Sequence, residues 1–376
     1  MTDARARGVL AFAWLPHHVD HLAPWCSILN APLCVDGRTS MAAAAGLYPD
    51  LEWFALPDTD GSSRFEPFAR RVRELAPRVL LCSELFERWY LRELFGGTDA
   101  PRFVYVPHGF SEKRQDWARE TAYQDVAVFY GEHAQDQLAE LGSAGILDRW
   151  IVSGNLRAAW HRRHAAHFRA QLGPLGELPP AGRTILYAPT WADAIGSSSF
   201  FDAFAPFARS LPEGWRLIAK LHPRLERHVD VIDTLGSLAA GRDIHLVRGS
   251  PLTYPLLALA DAYVGDMSAL AYDFLATGRP MFFTHQTAGT AADASSSRLF
   301  ACGTEIPPGA YADVVRIVDE AWPSDAERFG EARAALDRYT HAPERPFDEL
   351  VRELHEATSG PAPDWMGGRA ASHERG

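Results

Sequence analysis

Lysine is nearly missing from this chain of 376 residues: only Lys113 and Lys220 occur, and the other 35 of its 37 basic residues are arginine. Such a bias reads as the mark of a GC-rich coding sequence, so the two positions that kept lysine stand out. Positive charge as a whole is also short. Set against 48 acidic residues it leaves a formal net charge of −11, which argues against a nucleic-acid partner, because phosphate contacts require a basic face. A local basic pocket for a small anion is compatible with that balance.

Cysteine is equally scarce. Cys26, Cys34, Cys82 and Cys302 are scattered among apolar neighbours without CxxC spacing, which excludes a disulfide scaffold and points to buried thiols in a reduced, cytosolic protein. No charge-free run reaches the roughly 18 residues a membrane-spanning helix needs. The apolar run Val9–Leu15 follows Arg5 and Arg7 as a leader would, but it stops at Pro16 and gives way to histidines rather than to a small-residue cleavage site. It therefore reads as the first strand of the fold. Walker A, G-x-G-x-x-G and G-x-S-x-G patterns are absent, so NTPases, simple dinucleotide enzymes and α/β-hydrolases lose their usual support.

What is present is an ordinary globular composition, 47% hydrophobic and 23% charged, long enough for two domains with a core each. Short β-branched and aromatic runs alternate with longer amphipathic ones, the pattern of parallel sheets covered by helices. Predicted strands are Val9–Trp14, Arg78–Cys82, Phe103–Val106, Val126–Tyr130 and Trp150–Val152, then Thr184–Tyr187, Arg216–Lys220, Ile244–Val247, Ala262–Val264 and Met281–Phe283. Helices are predicted at Arg64–Leu75, Glu84–Leu94, Arg157–Leu172, Tyr311–Trp322, Ala326–Tyr339 and Phe347–Ala357. The Gly- and Pro-rich stretch Gly173–Gly182 cannot continue a helix and marks the domain boundary. The expected division is a first α/β unit over 1–172, a second over 173–340, a closing helix over 341–358 and a disordered tail over 359–376. Two α/β units of this kind take their ligand outside the carboxyl ends of the strands.

Three segments that follow strands carry chemistry. In Val106-Pro-His-Gly-Phe-Ser-Glu-Lys113, His108 sits at a strand's carboxyl end and is freed by Gly109, a placement suited to deprotonating a hydroxyl, although a turn histidine that merely caps a strand looks the same. In Leu217-Ile-Ala-Lys-Leu-His-Pro-Arg224, strand alternation puts Lys220, His222 and Arg224 on one side, a set suited to a diphosphate. In Ala262–Pro280, a strand runs through a short loop into a helix that Ser268 caps and Gly278 ends, with Asp266 or Asp273 placed to orient a histidine or bind a ribose hydroxyl. A weaker signal is Thr190 in Ala188-Pro-Thr-Trp191, a phosphate contact or a turn residue.

Other clusters read as structural. Asp58-Thr-Asp60 has the D-x-D spacing of metal-dependent glycosyltransferases but lies among turn residues. His17, His18 and His21 lack a third-ligand pattern, so no metal site is expected. His161, His164 and His167 read as a solvated helix face.

Taken in order, His108-Gly109, Ala188–Trp191, Lys220–Pro223 and Asp266-x-Ser268-x-x-x-x-Asp273-Phe274 resemble the CDP-glycerol glycerophosphotransferase family of teichoic-acid primases and polymerases. The resemblance extends over roughly residues 100–340, with Ala269 where relatives commonly carry a second serine. It implies a GT-B fold, two Rossmann-like domains, an acceptor domain over 1–172 and a CDP-donor domain over 173–340, with the active site between them, and no cofactor. It further implies an enzyme that moves a polyol phosphate, CDP-glycerol foremost as donor, to a polyol-phosphate or glycan acceptor, lipid-linked ones included, and releases CMP. His108 would be the base and His222 a diphosphate ligand, with Gly109, Lys113, Thr190, Lys220, Arg224, Asp266, Ser268 and Asp273 around the donor. Such an enzyme works in the cytoplasm on teichoic-acid or capsule polymers, with at most peripheral contact at the inner membrane face. The alternatives are a metal-independent GT-B glycosyltransferase or nucleotide-sugar epimerase and, from another class, a non-catalytic nucleotide-binding subunit.

Overall fold

The computed structural model describes residues 8–36, 41–56, 65–83, 101–111, 124–140, 142, 147, 149–191, 198–225, 237–250, 252–284 and 297–359. The predicted helix Glu84–Leu94, the Asp58–Asp60 segment, Lys113 and the tail from Gly360 lie outside the described residues.

Two compact units form. One comprises Met1–His108, Gln115–Arg157 and Ala342–Gly376, the other Gly109–Arg114 and Ala158–His341. The first is built on strands β1 (Val9–Ala13), β2 (Leu33–Val35), β3 (Trp53–Ala55), β4 (Val79–Cys82), β5 (Arg102–Tyr105), β6 (Val126–Phe129) and β7 (Trp150–Val152). They pair in parallel in the order β3-β2-β1-β4-β5-β6-β7. The second holds β8 (Arg183–Ala188), β9 (Trp215–Lys220), β10 (Ile244–Val247), β11 (Ala262–Gly265), β12 (Met281–Thr284) and β13 (Thr304–Ile306). These pair in parallel as β10-β9-β8-β11-β12-β13. Both sheets thus start from a central strand, run outward to one side, then return and run outward to the other. This is the doubly wound order whose reversal point opens a crevice at the carboxyl ends of the strands.

The sequence reasons are direct. VLAFA of β1 and VLLC of β4 are buried at every position, as strands covered on both faces must be. In the helix Phe65–Leu75 the apolar residues recur at three- and four-residue steps, and Phe68, Ala69 and Val72 are buried against Phe12 and Leu80. The rings of Phe12 and Phe68 lie 4.5 Å apart, a placement at which truncating Phe68 to alanine costs about 3–5 kcal/mol. Tyr187, Phe204 and Phe207 form the corresponding core of the second unit.

The predicted strands all appear, with ends shifted by a residue at most. Strands β2, β3 and β13 were not predicted; each is three residues long, too short to show a period. The predicted helix Arg157–Leu172 is two helices, Leu156–Arg163 and Ala165–Ala170, broken at His164. The change of unit falls between Arg157 and Ala158, ahead of Gly173, because Phe168 is buried and the Ala165–Ala170 helix packs against elements of the second unit. The closing helix is Phe347–Thr358. It packs on β7 and on the helix Val19–Leu29 of the first unit, and its approach is pinned by Ala342 N–H to the Tyr130 carbonyl at 2.8 Å and Arg345 to the Val152 carbonyl at 2.9 Å. All four cysteines are buried and unbridged.

Candidate functional site

In the first unit, β1, β4 and β5 lie side by side, Phe12 opposite Cys82 and Cys82 opposite Tyr105. The segments that leave their carboxyl ends therefore meet. After β1 comes the 3₁₀ turn Pro16–His18, after β4 comes Ser83, and after β5 comes His108. The ring of His108 lies 5.7 Å from that of His17, 5.0 Å from His18 and 6.4 Å from His21.

His108 Nδ1 is 2.9 Å from the Ser83 carbonyl. A carbonyl only accepts, so Nδ1 carries the proton and Nε2 keeps its lone pair. His108 is open to solvent, with the rings of His17, His18 and His21 about it. Loss of solvation holds its pKa below the usual imidazole value; the Ser83 hydrogen bond opposes this and the Arg157 charge adds to it. An imidazole with that pKa is unprotonated at neutral pH, the form a general base requires.

Behind it lies a buried network. Arg157, 6% exposed, donates to His21 Nε2 at 2.8 Å and lies 3.6 Å from Asp20. Asp20 accepts from Tyr48 at 2.7 Å. With Nε2 of His21 occupied as an acceptor, its Nδ1–H faces the Tyr130 oxygen at 3.3 Å, and Tyr130 donates to the Pro107 carbonyl at 2.7 Å. Burial, followed by the Arg157 charge, holds His21 well below the usual imidazole range. This chain of bonds fixes the residue that precedes His108. His21 is thus turned into this network.

In the second unit the loops after β8, β9 and β11 leave three adjacent strands, with Tyr187 opposite Ala219 and Ala188 opposite Gly265. Asp266, 2% exposed, is the knot among them. Its carboxylate accepts from Thr190 N at 2.8 Å, Ser199 N at 3.1 Å and Thr284 Oγ1 at 2.7 Å. Burial raises its pKa in spite of these donors. Every one of these bonds is made inside the protein, so Asp266 shapes the loops that would carry ligand contacts. Thr190 is itself buried, held by that bond.

Ser268 caps the helix Ala269–Leu275 as predicted, its side chain accepting from Ala271 N, and its hydroxyl lies 3.3 Å from Tyr263 Oη. Asp273 is buried and accepts from Tyr254 at 2.8 Å, so it ties two helices together. Lys220 ends β9 half-buried, its ammonium donating to the Ser250 carbonyl at 2.9 Å. Alternation of side chains stops there. His222–Leu225 is a turn, closed by Leu225 N–H to the His222 carbonyl at 2.8 Å, and Arg224 N–H donates to His222 Nδ1 at 3.2 Å. Arg224 is exposed and lies over the Trp191 ring at 4.3 Å. A turn and a cation–π contact, rather than a strand face, place His222 and Arg224. Trp191 is a neighbour that strand periodicity could not have found.

His161 corrects a further expectation. It is 4% exposed and stacks on Phe168 at 4.0 Å, a core histidine instead of a solvated one. The surface depressions around Pro212 and Trp215 and around Pro180 and Thr184 lie at the amino ends of β8 and β9, away from these loops. No described helix is long and apolar enough to cross a membrane.

Comparison with known proteins bears on this arrangement. A search of curated proteins gives no match. Among solved structures, the wall teichoic acid polymerase TagF matches with a TM-score of 0.64 at 14% identity, over 95% of this chain and 90% of that one. MnaA of S. aureus in complex with UDP gives 0.62 at 10% identity, over 93% and 96%. UDP-GlcNAc 2-epimerase from Neisseria meningitidis bound to UDP-GlcNAc gives 0.56 at 12% identity, over 93% and 99%. At these identities the likeness establishes the fold, that of two Rossmann-like domains. Residues 169–309 match the family of CDP-Glycerol:Poly(glycerophosphate) glycerophosphotransferase, and the matched stretch holds Thr190, Lys220, His222, Arg224, Asp266, Ser268 and Asp273. Through that segment the chain is similar to the glycerophosphotransferase family.

Proposed function

We propose that the protein moves a polyol phosphate, glycerol phosphate foremost, from a CDP-polyol to an acceptor hydroxyl in the synthesis of a phosphate-linked surface polymer. The observation that carries this reading is His108, whose Nδ1–H is committed to the Ser83 carbonyl so that Nε2 is presented as a proton acceptor.

Nε2 takes the proton of the acceptor hydroxyl, and the oxygen attacks the phosphorus that bears the polyol. The bond from that phosphorus to the CMP oxygen breaks, and CMP leaves with the electron pair. Such a transfer depends mainly on positioning and on neutralising oxygen charge. Lys220, His222 and Arg224 supply positive or titratable groups for the diphosphate, with Lys113 beside the His108 segment, and the Ser268 hydroxyl supplies a donor. Gly109 frees the backbone after the base, while Thr190, Asp266 and Asp273 hold the surrounding loops and helices. The acceptor is a polyol phosphate or glycan, lipid-linked ones included, met in the cytoplasm or at the inner membrane face.

The test pairs two variants with two readouts. In His108→Ala, CMP release should fall by about 10²–10⁴-fold while the thermal shift induced by CDP-glycerol is kept. In His222→Ala, that shift should shrink. Near-full turnover in His108→Ala would refute the base assignment. A shift with UDP-GlcNAc and none with CDP-glycerol would favour the epimerase-like reading, whose fold this chain shares.

A further inference from the structure

We propose that His17, His18 and His108 form a site for one divalent transition-metal ion of the zinc or cobalt type, whose occupation closes His108 to proton transfer. The second half of this inference rests on the reading of His108 as base; the first does not.

One ring nitrogen from each of the three residues lies within 4.8 Å of the other two. All three belong to the first unit. His17 and His18 are held by the turn Pro16–His18, closed by His18 N–H to the Leu15 carbonyl at 2.9 Å. His108 is held by its own Nδ1 bond to Ser83. A ring N–H given to a backbone carbonyl is what metal-binding histidines ordinarily have behind them, because it fixes both tautomer and ring orientation.

A tetrahedral ion with metal–nitrogen bonds of about 2.0–2.1 Å holds its ligands roughly 3.4 Å apart. Closing from within 4.8 Å to that spacing falls on His17, which is part-exposed, while His18 is buried and His108 is held by Ser83. The donor set selects the ion. Three imidazoles without a carboxylate suit zinc, cobalt or nickel and not magnesium or calcium, which take oxygen ligands. His21 does not complete the set, since Arg157 and Tyr130 engage its two nitrogens. Three protein ligands leave one position open for water or a small anion. An ion held there takes the lone pair of His108 Nε2 that would otherwise receive the acceptor's proton.

The experiment uses the full chain, stripped with EDTA and dialysed. Titration with Co²⁺ should raise visible absorption to a plateau at one ion per chain, and Zn²⁺ should bleach it. His17→Ala should weaken Co²⁺ binding by more than the roughly 10–100-fold lost when only an outer partner is removed. His18→Ala should do the same. Because His18 is buried, a melting curve accompanies it, and His17→Ala carries the test if His18→Ala unfolds. Mg²⁺ should not compete. Zn²⁺ should slow CMP release by the stripped protein, and that sensitivity should fall in His17→Ala. Absence of Co²⁺ binding, or binding untouched by His17→Ala, overturns the site. Faster transfer with zinc overturns the blocking role and the base assignment while leaving the site standing.

Discussion

The carboxylate of Asp266 and the backbone N–H of Thr190, on the loops after β11 and β8, are joined by a 2.8 Å hydrogen bond in the interior of the second unit. Two further donors, Ser199 N and Thr284 Oγ1, share that carboxylate. The loops after β8 and β11 are thus anchored by one buried acid.

Asp266→Asn replaces an acceptor of several bonds with a group that is half donor. One buried donor is left unsatisfied, and unfolding in urea should show a loss of about 1–3 kcal/mol. Donor KM should rise as the loops loosen. Thr284→Val should cost about 1 kcal/mol, and the double variant should lose less than the two losses added, since both act in one network. Strict additivity would show that the network does not act as a unit.

Gly109 has φ +123, and a Cβ there would meet Ala269 Cβ of the same unit at 2.4 Å. Gly109→Ala is therefore both strained and crowded, and should lower stability by about 1–3 kcal/mol together with transfer. Adding Ala269→Gly should recover the crowding part and leave the backbone strain. A Gly109→Ala protein with unchanged melting and turnover would refute the requirement.

Lys220→Arg keeps the charge and changes its shape. The compact ammonium that reaches the Ser250 carbonyl becomes a planar fork on a half-buried site. Donor KM should rise roughly tenfold, a loss of about 1.4 kcal/mol, with kcat less affected. Equal KM in the two proteins would show that arginine was simply never sampled there.

Asp243 gives a pH test of stability. Burial opposes its ionisation, but hydrogen bonds from Arg216 and His245 outweigh that and hold its pKa below the usual carboxylate value. A depressed folded pKa means stability that is present above the unfolded value of 3.8 and is lost as pH falls through the folded one. Asp243→Asn should melt below wild type at pH 7, and the two curves should converge below pH 3.8. A difference that persists unchanged into acid would assign the loss to packing alone.

The Rossmann-like character of both halves could be read from the chain because buried parallel strands, such as VLAFA and VLLC in the first unit and AYVG in the second, are short and apolar and alternate with longer amphipathic runs. Ser268 was legible as a helix cap for a similar local reason: a short polar side chain before an apolar run satisfies a backbone N–H. The three-residue strands Leu33–Val35, Trp53–Ala55 and Thr304–Ile306 carry too few positions for a period and were missed, although Trp150–Val152, equally short, was found. The hydrogen bonds that Asp266 and Asp273 make to Thr190 and Tyr254 were not legible, because these partners lie on other elements of the unit. His161 looked solvated beside Arg162 and Arg163, although Phe168 and Tyr254 cover it.

Local patterning, which depends on near neighbours in the chain, thus sufficed for the strands, the caps and the order of the motifs. Which loops meet was decided by strand pairing. Only the adjacency of β1, β4 and β5 brings His17 and His18 to His108 and puts the Ser83 carbonyl behind it. The sequence reading found no third ligand near His17 because that ligand is supplied by the sheet.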